Sequence, residues 1–203
     1  MDTLVRYLAH VLEANRRVNL TRITSPREAV VKHLVDSLLP AAVLETGEGA
    51  FRETLLDLGT GPGFPGVALA VWFPEARVHL VESVGKKARV VEETVRSAGI
   101  ANVTVHARRA EELLQESAVH TIVARAVGSA RKLLRLLRRV RGKFQRLVLY
   151  KGPEAAAELE EARRDAEAMG LWGEVARDYA LPDDMGRRSV LLYSRKQQDA
   201  EEP

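Results

Sequence analysis

Leu55-Leu56-Asp57-Leu58-Gly59-Thr60-Gly61-Pro62-Gly63-Phe64-Pro65-Gly66 is the stretch that decides the fold. It sets an acid near the end of an apolar run, glycines at alternate positions of the turn that follows, and Pro65 where a helix would begin. Glycine adopts positive φ and lets the backbone approach a ligand closely, which any side chain would obstruct. The stretch therefore reads as a strand, a cofactor-binding turn and a helix.

Outward from this turn, short apolar runs alternate with helical periodicity. Strands are predicted at Thr54 to Leu58, Arg77 to Glu82, Asn102 to His106, Thr121 to Arg125 and Gln145 to Lys151, with helices near Gly66 to Phe73, Gly85 to Ala98, Glu111 to Glu116 and Ser129 to Val140. Strand alternating with crossover helix implies a parallel sheet covered on both faces. After a helix from Pro153 to Met169 the alternation breaks, and Val175 to Leu181 and Ser189 to Ser194 read as an antiparallel hairpin across Pro182 to Arg188. Upstream, Leu4, Leu8, Val11 and Leu12 recur at helical spacing. Ser25-Pro26-Arg27-Glu28 then combines a capping box with Pro at the first helical position and opens a helix running to about Leu44. The expected organisation is a helical extension over 1–50, an α/β domain over 51–196 and a disordered tail over 197–203.

Two cofactors compete for the glycine turn. Gly61-x-Gly63-x-x-Gly66, with Glu82 about 20 residues on, matches the dinucleotide fingerprint and an NAD-dependent oxidoreductase. Asp57-x-Gly59-x-Gly61-x-Gly63 with Glu82 ending the next strand is the S-adenosyl-L-methionine arrangement, in which the acid binds ribose hydroxyls. Pro65 removes a helix-N-terminal amide that a pyrophosphate would use. The terminal hairpin is a methyltransferase trait, and Ala110-Glu111 follows the third strand, where methyltransferases contact the adenine. The expectation is a Rossmann-like S-adenosylmethionine-dependent methyltransferase fold, mostly parallel and ending in an antiparallel hairpin, with Asp57, Gly59, Gly61, Gly63, Glu82, Ala110 and Glu111 binding the cofactor.

Composition bounds the chemistry. The 203 residues are 46% hydrophobic and 29% charged, as in a globular chain, and contain no cysteine. That excludes a cysteine nucleophile, a thiolate metal site and a disulfide scaffold. No metal is expected. The longest strictly apolar run, Val67 to Phe73, is far shorter than the ~20 residues of a spanning helix, and Arg6 interrupts any signal-peptide core. A cytoplasmic monomer away from membranes is expected. Between Ser117 and Pro153 there is no acid, yet the segment holds Arg125, Arg131, Lys132, Arg135, Arg138, Arg139, Arg141, Lys143, Arg146 and Lys151. With no carboxylates interleaved, this reads as a basic surface for RNA, Arg131, Arg135 and Arg138 sharing one helix face. A non-catalytic RNA-binding module would account for that feature alone.

Absences narrow the methyl acceptor. The loop after the fourth strand reads Ala124-Arg125-Ala126-Val127, without the prolyl-aromatic motif of adenine amine methylation, and carbon-5 pyrimidine methylation needs the missing cysteine. Guanine N7 has its own lone pair and needs no base, only positioning and desolvation. Ribose hydroxyls and small molecules stay open at this point. His33, Asp36 and Ser37, at i, i+3 and i+4, share one helical stripe, and Arg125 and Lys151 sit at strand ends where open α/β sheets bind ligands.

Val18-Asn19-Leu20-Thr21-Arg22-Ile23, Lys32-His33-Leu34-Val35-Asp36-Ser37-Leu38, the glycine turn, Ala124-Arg125-Ala126 and Lys151-Gly152-Pro153 together resemble the glucose-inhibited division protein B family, in the right order over nearly the whole chain. The resemblance implies a bacterial methyltransferase forming N7-methylguanosine in small-subunit ribosomal RNA, with that RNA or the ribosomal subunit as partner. By position it carries cofactor contacts to Gly59, Phe64, Glu82, Ala110, Glu111 and Arg125. It carries basic roles around substrate or methyl transfer to Arg125, Lys151 and Arg188, which with His33 are the candidate catalytic residues. The chain departs from the family pattern at Ala14-Asn15, where Trp-Asn is usual, and at Arg188-Ser189, where Arg-His is usual.

Overall fold

A computed structural model of the chain describes residues 2–45 and 52–195. The expected 50/51 boundary and the tail over 197–203 lie outside the described residues.

Seven strands, β1 Thr54–Leu58, β2 Arg77–Val81, β3 Val103–His106, β4 Thr121–Arg125, β5 Arg146–Lys151, β6 Leu171–Ala180 and β7 Arg187–Arg195, form one sheet in the order β3-β2-β1-β4-β5-β7-β6. The first five are mutually parallel. β7 runs antiparallel to both β5 and β6, and the β6/β7 register shifts between Val175 and Arg177. The hairpin strands are longer than their apolar runs because half-exposed and exposed residues continue the ladder beyond the alternating core. β1 lies between β2 and β4, so the chain order reverses there, and open α/β sheets bind ligands beyond the carboxyl ends of strands at that reversal.

Helices cover both faces. α4 Gly66–Trp72 and α5 Gly85–Ala98 pack on one face with the amino-terminal α1 Asp2–Asn15, whose Leu4, Tyr7, Leu8 and Val11 are buried against Leu55, Val78, Leu80 and Val123. α6 Ala110–Glu116, α7 Ala130–Leu137 and α8 Ala155–Glu167 cover the other, over Leu56, Ile122, Leu147 and Leu191. Each fully buried aliphatic side chain contributes roughly 1.5–3 kcal/mol by leaving water. α1 thus shares the sheet's core, and its removal would expose that face.

The segment between α1 and β1 is less regular than its periodicity predicts. It comprises α2 Pro26–Ala29, a π-helical segment Val30–Val35, α3 Asp36–Leu38 and a 3-10 turn Ala41–Val43. Pro26 occupies the first helical turn as expected, but the capping box does not form: Ser25 makes no side-chain cap, and Glu28 pairs with Lys32. Buried Arg146, at the start of β5, donates to the carbonyls of Val43 and Leu44 and ties this segment to the base of the sheet.

Candidate functional site

The glycine turn is closed from within. Asp57 is fully buried, and its Oδ2 accepts from Thr60 Oγ1 (2.6 Å) and the Gly66 amide (2.8 Å). Its Oδ1 has no hydrogen-bond partner among the described residues. Burial pushes the carboxyl up to about 6 even though these two bonds favour the charged form. The Gly59 and Thr60 amides donate to Val81 O at 2.9 and 3.0 Å, hanging the turn on the end of β2.

The glycines serve different purposes, which revises the expectation that all open the backbone to a ligand. Gly59 (φ +70°) is exposed, although a Cβ there would press on Val127 Cγ2 at 2.9 Å; a Cβ at Gly61 (φ +56°) would come no nearer than 4.0 Å to Leu20 O, so Gly61 is the glycine that presents bare backbone to the crevice. At Gly63 a Cβ would overlap the Tyr7 hydroxyl, and at Gly66 it would overlap Leu80 and lie 2.8 Å from the Asp57 side chain. Those two glycines admit the protein's own side chains. Tyr7 Oη donates to Pro62 O at 3.0 Å, and its ring meets Phe64 edge-on with centroids 5.5 Å apart. On the other side of Phe64, His33 stacks nearly parallel at 5.1 Å. The amino-terminal helices thus clamp the turn through one buried aromatic residue.

Arg125, at the end of β4, organises the neighbouring cleft. Its Nη1 donates to Lys32 O (2.8 Å) and to Asp36 Oδ2 (3.2 Å), and its Nη2 donates to His33 Nδ1 (3.2 Å). A guanidinium only donates, so Nδ1 is the acceptor and the ring carries its proton on Nε2, 3.2 Å from Thr21 Oγ1. Burial and the adjacent Arg125 charge lower the His33 pKa to about 4. The Lys32 carbonyl that accepts from the arginine belongs to the π-helical segment; such segments are frequent at functional sites. The Asp36 Oδ1 accepts from Tyr179 Oη of β6 at 2.8 Å and lies 3.7 Å from Arg188 Nε of β7. Tyr150 Oη donates to Ser37 O at 3.1 Å. Ala126 follows Arg125 with φ +58°, turning the chain so that Gly128 O accepts from Lys151 Nζ at 2.6 Å. Lys151 also pairs with Glu158 of α8 at 2.8 Å.

Gly59, Gly61, Phe64, His33, Arg125, Lys151 and Arg188 line one open cavity of about 840 Å³. Asp57, Gly63, Glu82, Ala110 and Glu111 do not. Glu82 sits just past β2, across the turn from the cavity, its Oε1 accepting from the Val84 amide at 2.8 Å while Oε2 has no partner among the described residues. Ala110 is buried and Glu111 half-buried at the start of α6, after β3. The residues carried over for the cofactor's ribose and adenine therefore sit on the β2/β3 side of the turn, and the candidate catalytic residues on the β4/β5 side.

Asp36, which in sequence is only one member of a stripe, is the hub of the cleft, and Tyr150, Tyr179, Thr21 and Glu158 join it without having been singled out as site residues. Tyr150 is adjacent to Lys151 in sequence; Glu158, seven residues beyond it on α8, and Tyr179 carry no local signal. Asn15 proves structural, accepting from the Leu20 and Thr21 amides through Oδ1 and donating to Thr21 O, which shapes the Asn-Leu-Thr loop.

The acid-free segment is not the uniform basic surface it reads as. Asp165 of α8 pairs with Arg131 (3.2 Å) and Arg135 (3.1 Å), Asp36 with Arg125, and Glu158 with Lys151, while Arg146 is buried. The compensating acids come from other parts of the chain. The expected shared helix face also ends early, since α7 stops at Leu137 and a 3-10 segment Arg138–Lys143 follows.

The GidB family model, described as rRNA small subunit methyltransferase G, matches residues 1–175. Ribosomal RNA small subunit methyltransferase G of Solibacter usitatus (strain Ellin6076) is 40% identical over 186 residues, covering 92% of this chain and 86% of that one. Its namesake in Carboxydothermus hydrogenoformans is 33% identical over 207 residues, covering 97% and 83%. Among solved structures, precorrin-6y C5,15-methyltransferase from Geobacter metallireducens GS-15 superposes with a TM-score of 0.61 at 16% identity, covering 78% of this chain and 87% of that one. That likeness concerns the fold alone, which is Rossmann-like, as expected.

Proposed function

The chain belongs to the GidB family of small-subunit ribosomal RNA methyltransferases, and from that membership we propose that it transfers the methyl group of S-adenosyl-L-methionine to N7 of a guanosine in small-subunit ribosomal RNA. One observation carries the choice of acceptor: the proton acceptors lining the cleft are already engaged. The Asp36 carboxylate holds Arg125 and Tyr179, Glu158 holds Lys151 and the Ala130 amide, and the acceptor nitrogen of His33 faces Arg125. An amine or hydroxyl acceptor would need a base at that point. Guanine N7 attacks with its own lone pair.

The residues around the turn fit the cofactor. The open backbone at Gly61, with Gly59 exposed beside it, provides a cradle, and Glu82 Oε2 is free to accept from ribose hydroxyls, with Ala110 and Glu111 beside the adenine. Bound there, S-adenosyl-L-methionine supplies an electrophilic methyl carried on a sulfonium. Asp57 holds the turn through Thr60 and the Gly66 amide, and Phe64 fixes its far limb. On the acceptor side, Arg125 and Lys151 enter the cleft with their charges compensated, and His33 is neutral at pH 7. This matters because the methyl donor and the N7-methylated base are both cationic, and an unpaired guanidinium beside them would raise the barrier. The work left to the cleft is to hold the guanine in line and keep water out.

Among the described residues no helix is long and apolar enough to cross a membrane. We assign a monomeric cytoplasmic enzyme acting without metal on ribosomal RNA or the small subunit. The test is to incubate small subunits or precursor RNA with labelled S-adenosyl-L-methionine and map the product. Label on guanine N7 is expected; label only on a pyrimidine, a ribose or protein overturns the reading, and calorimetric binding of NAD without S-adenosyl-L-methionine would select an oxidoreductase.

A further inference from the structure

The 3-10 segment Arg138–Lys143 carries Arg138, Arg139, Arg141 and Lys143 on a rigid base, because Leu137, Val140 and Phe144 are buried beneath it. The three arginines are exposed and Lys143 half-exposed. None forms an ion pair among the described residues, whereas Arg131 and Arg135, on the preceding helix, share Asp165. Arg195 of β7 adds a fifth cation by donating to the Arg141 carbonyl. On the neighbouring α6 two of the three acids are engaged elsewhere: Glu116 is taken by Arg108, and Glu112 accepts from the Arg109 amide. On the adjoining helix Asp165 thus pairs with Arg131 and Arg135, whereas no carboxylate among the described residues pairs with the ridge. The segment kinks at Val140 (φ −112°, ψ 19°), whose side chain is buried, while Arg138, Arg139 and Arg141 on either side of it stay exposed.

The ridge lies at the wrong end of the sheet for the catalytic cleft. It ends two residues before β5, which starts at Arg146, and Lys151 of the cleft closes that strand five residues on. At about 3.3 Å per residue the two are some 16 Å apart along the strand, facing opposite ends of the molecule. A nucleotide in the cleft does not touch the ridge, and only an RNA that continues around the domain reaches both.

We propose that Arg138, Arg139, Arg141 and Lys143, with Arg195, form a second phosphate-backbone contact for the substrate RNA, remote from the modified nucleotide, so that the enzyme recognises a large folded RNA. The proposal rests on the reading of this chain as a ribosomal RNA methyltransferase. Its chemistry is sequence-independent charge neutralisation, which governs affinity and salt dependence without altering the transfer step.

The test compares wild type with the combined variant Arg138→Gln, Arg139→Gln, Arg141→Gln and Lys143→Gln, and with a variant carrying Lys at the three arginine positions. Binding to naked small-subunit ribosomal RNA is measured over a salt series, alongside binding to a minimal stem-loop holding one target guanosine and methylation of intact subunits. The Gln variant should lose at least about tenfold in affinity for the full RNA, with each lost contact lowering the salt slope by just under about one. KM for subunits should rise with kcat unchanged. Cofactor and stem-loop affinity should stay at wild-type values, and the Lys variant should recover most of the loss. Unchanged affinity for the full RNA overturns the proposal, as does an equal loss on the stem-loop. A defect confined to subunits would assign the ridge to an acidic protein surface and also overturn it. Because binding to naked RNA is read directly, a wild type that binds through the ridge but methylates no RNA would refute the functional reading and leave the ridge standing.

Discussion

Arg125 and Asp36, 89 residues apart, form an ion pair of 3.2 Å in which the arginine side chain is 13% and the aspartate 6% exposed. It joins the end of β4 to the turn that follows the π-helical segment. Removing one partner of a buried pair leaves the other charge uncompensated, at a cost of about 3–5 kcal/mol. Asp36→Asn should destabilise the fold by an amount of that order and slow single-turnover methylation at saturating RNA. The double variant Asp36→Asn with Arg125→Gln should regain much of the stability in urea unfolding and none of the rate. Independent, additive losses would dissolve the pair as a unit.

The neutral state of His33 makes stability depend on pH. Its pKa falls from an ordinary 6.5 to about 4, so the unfolded chain takes up a proton in a window where the folded one does not. The stabilisation is complete above pH 6.5 and is lost as pH falls towards 4, amounting to about 2 kcal/mol between pH 7 and pH 5. Buried Asp57 acts in the opposite direction: its pKa is raised from 3.8 to about 6, so its effect lowers stability as pH rises through that window. The wild-type profile alone should therefore look shallow. Urea unfolding of wild type against His33→Gln at pH 7 and pH 5 isolates the histidine, and the gap between them should narrow at pH 5. A constant gap would mean that folding leaves the His33 pKa unchanged.

Glu82 is expected to bind the cofactor through its free Oε2. Glu82→Ala should weaken S-adenosyl-L-methionine binding by about 1.5–3 kcal/mol in calorimetry, the range for bonds to a charged group, with little change in unfolding. Unaltered affinity in a folded variant removes Glu82 from the site.

Gly61 and Gly63 should part company. Gly61→Ala meets open space, so its stability cost is only the left-handed strain of about 1–2 kcal/mol, while cofactor affinity falls as the cradle fills. Gly63→Ala should cost clearly more, because its Cβ overlaps the Tyr7 hydroxyl. In a Tyr7→Phe background part of that excess should vanish in a double-mutant cycle of unfolding energies. Additivity would show that Tyr7 does not pack on the turn.

Periodicity and turn chemistry are local properties, and what they govern is legible in the order of residues alone. The strand runs from Thr54 to Lys151 alternate with helical stripes, Gly and Pro punctuate the first turn, and two late strand-like runs close as a hairpin, so the α/β architecture and the two sides of the ligand crevice follow. Legible too are the places of Arg125 and Lys151 at the ends of β4 and β5 and of Glu82 just past β2, because strand boundaries follow from the local pattern. Charge pairing is set by distance in space, and there a linear reading fails. The acid-free segment from Ser117 to Pro153 reads as bare, but Asp36, Glu158 and Asp165 reach its cations from helices on either side of it in sequence. Tyr179, with no neighbouring motif, becomes part of the site only when β6 pairs with β7 and its hydroxyl meets Asp36. Gly63 reads as an opening for a ligand and serves a tyrosine 56 residues upstream. Local sequence specified the elements and the turn between them; which charges cancel, which glycines face solvent and which hydroxyls aim the site depend on contacts between distant residues, and packing alone creates those.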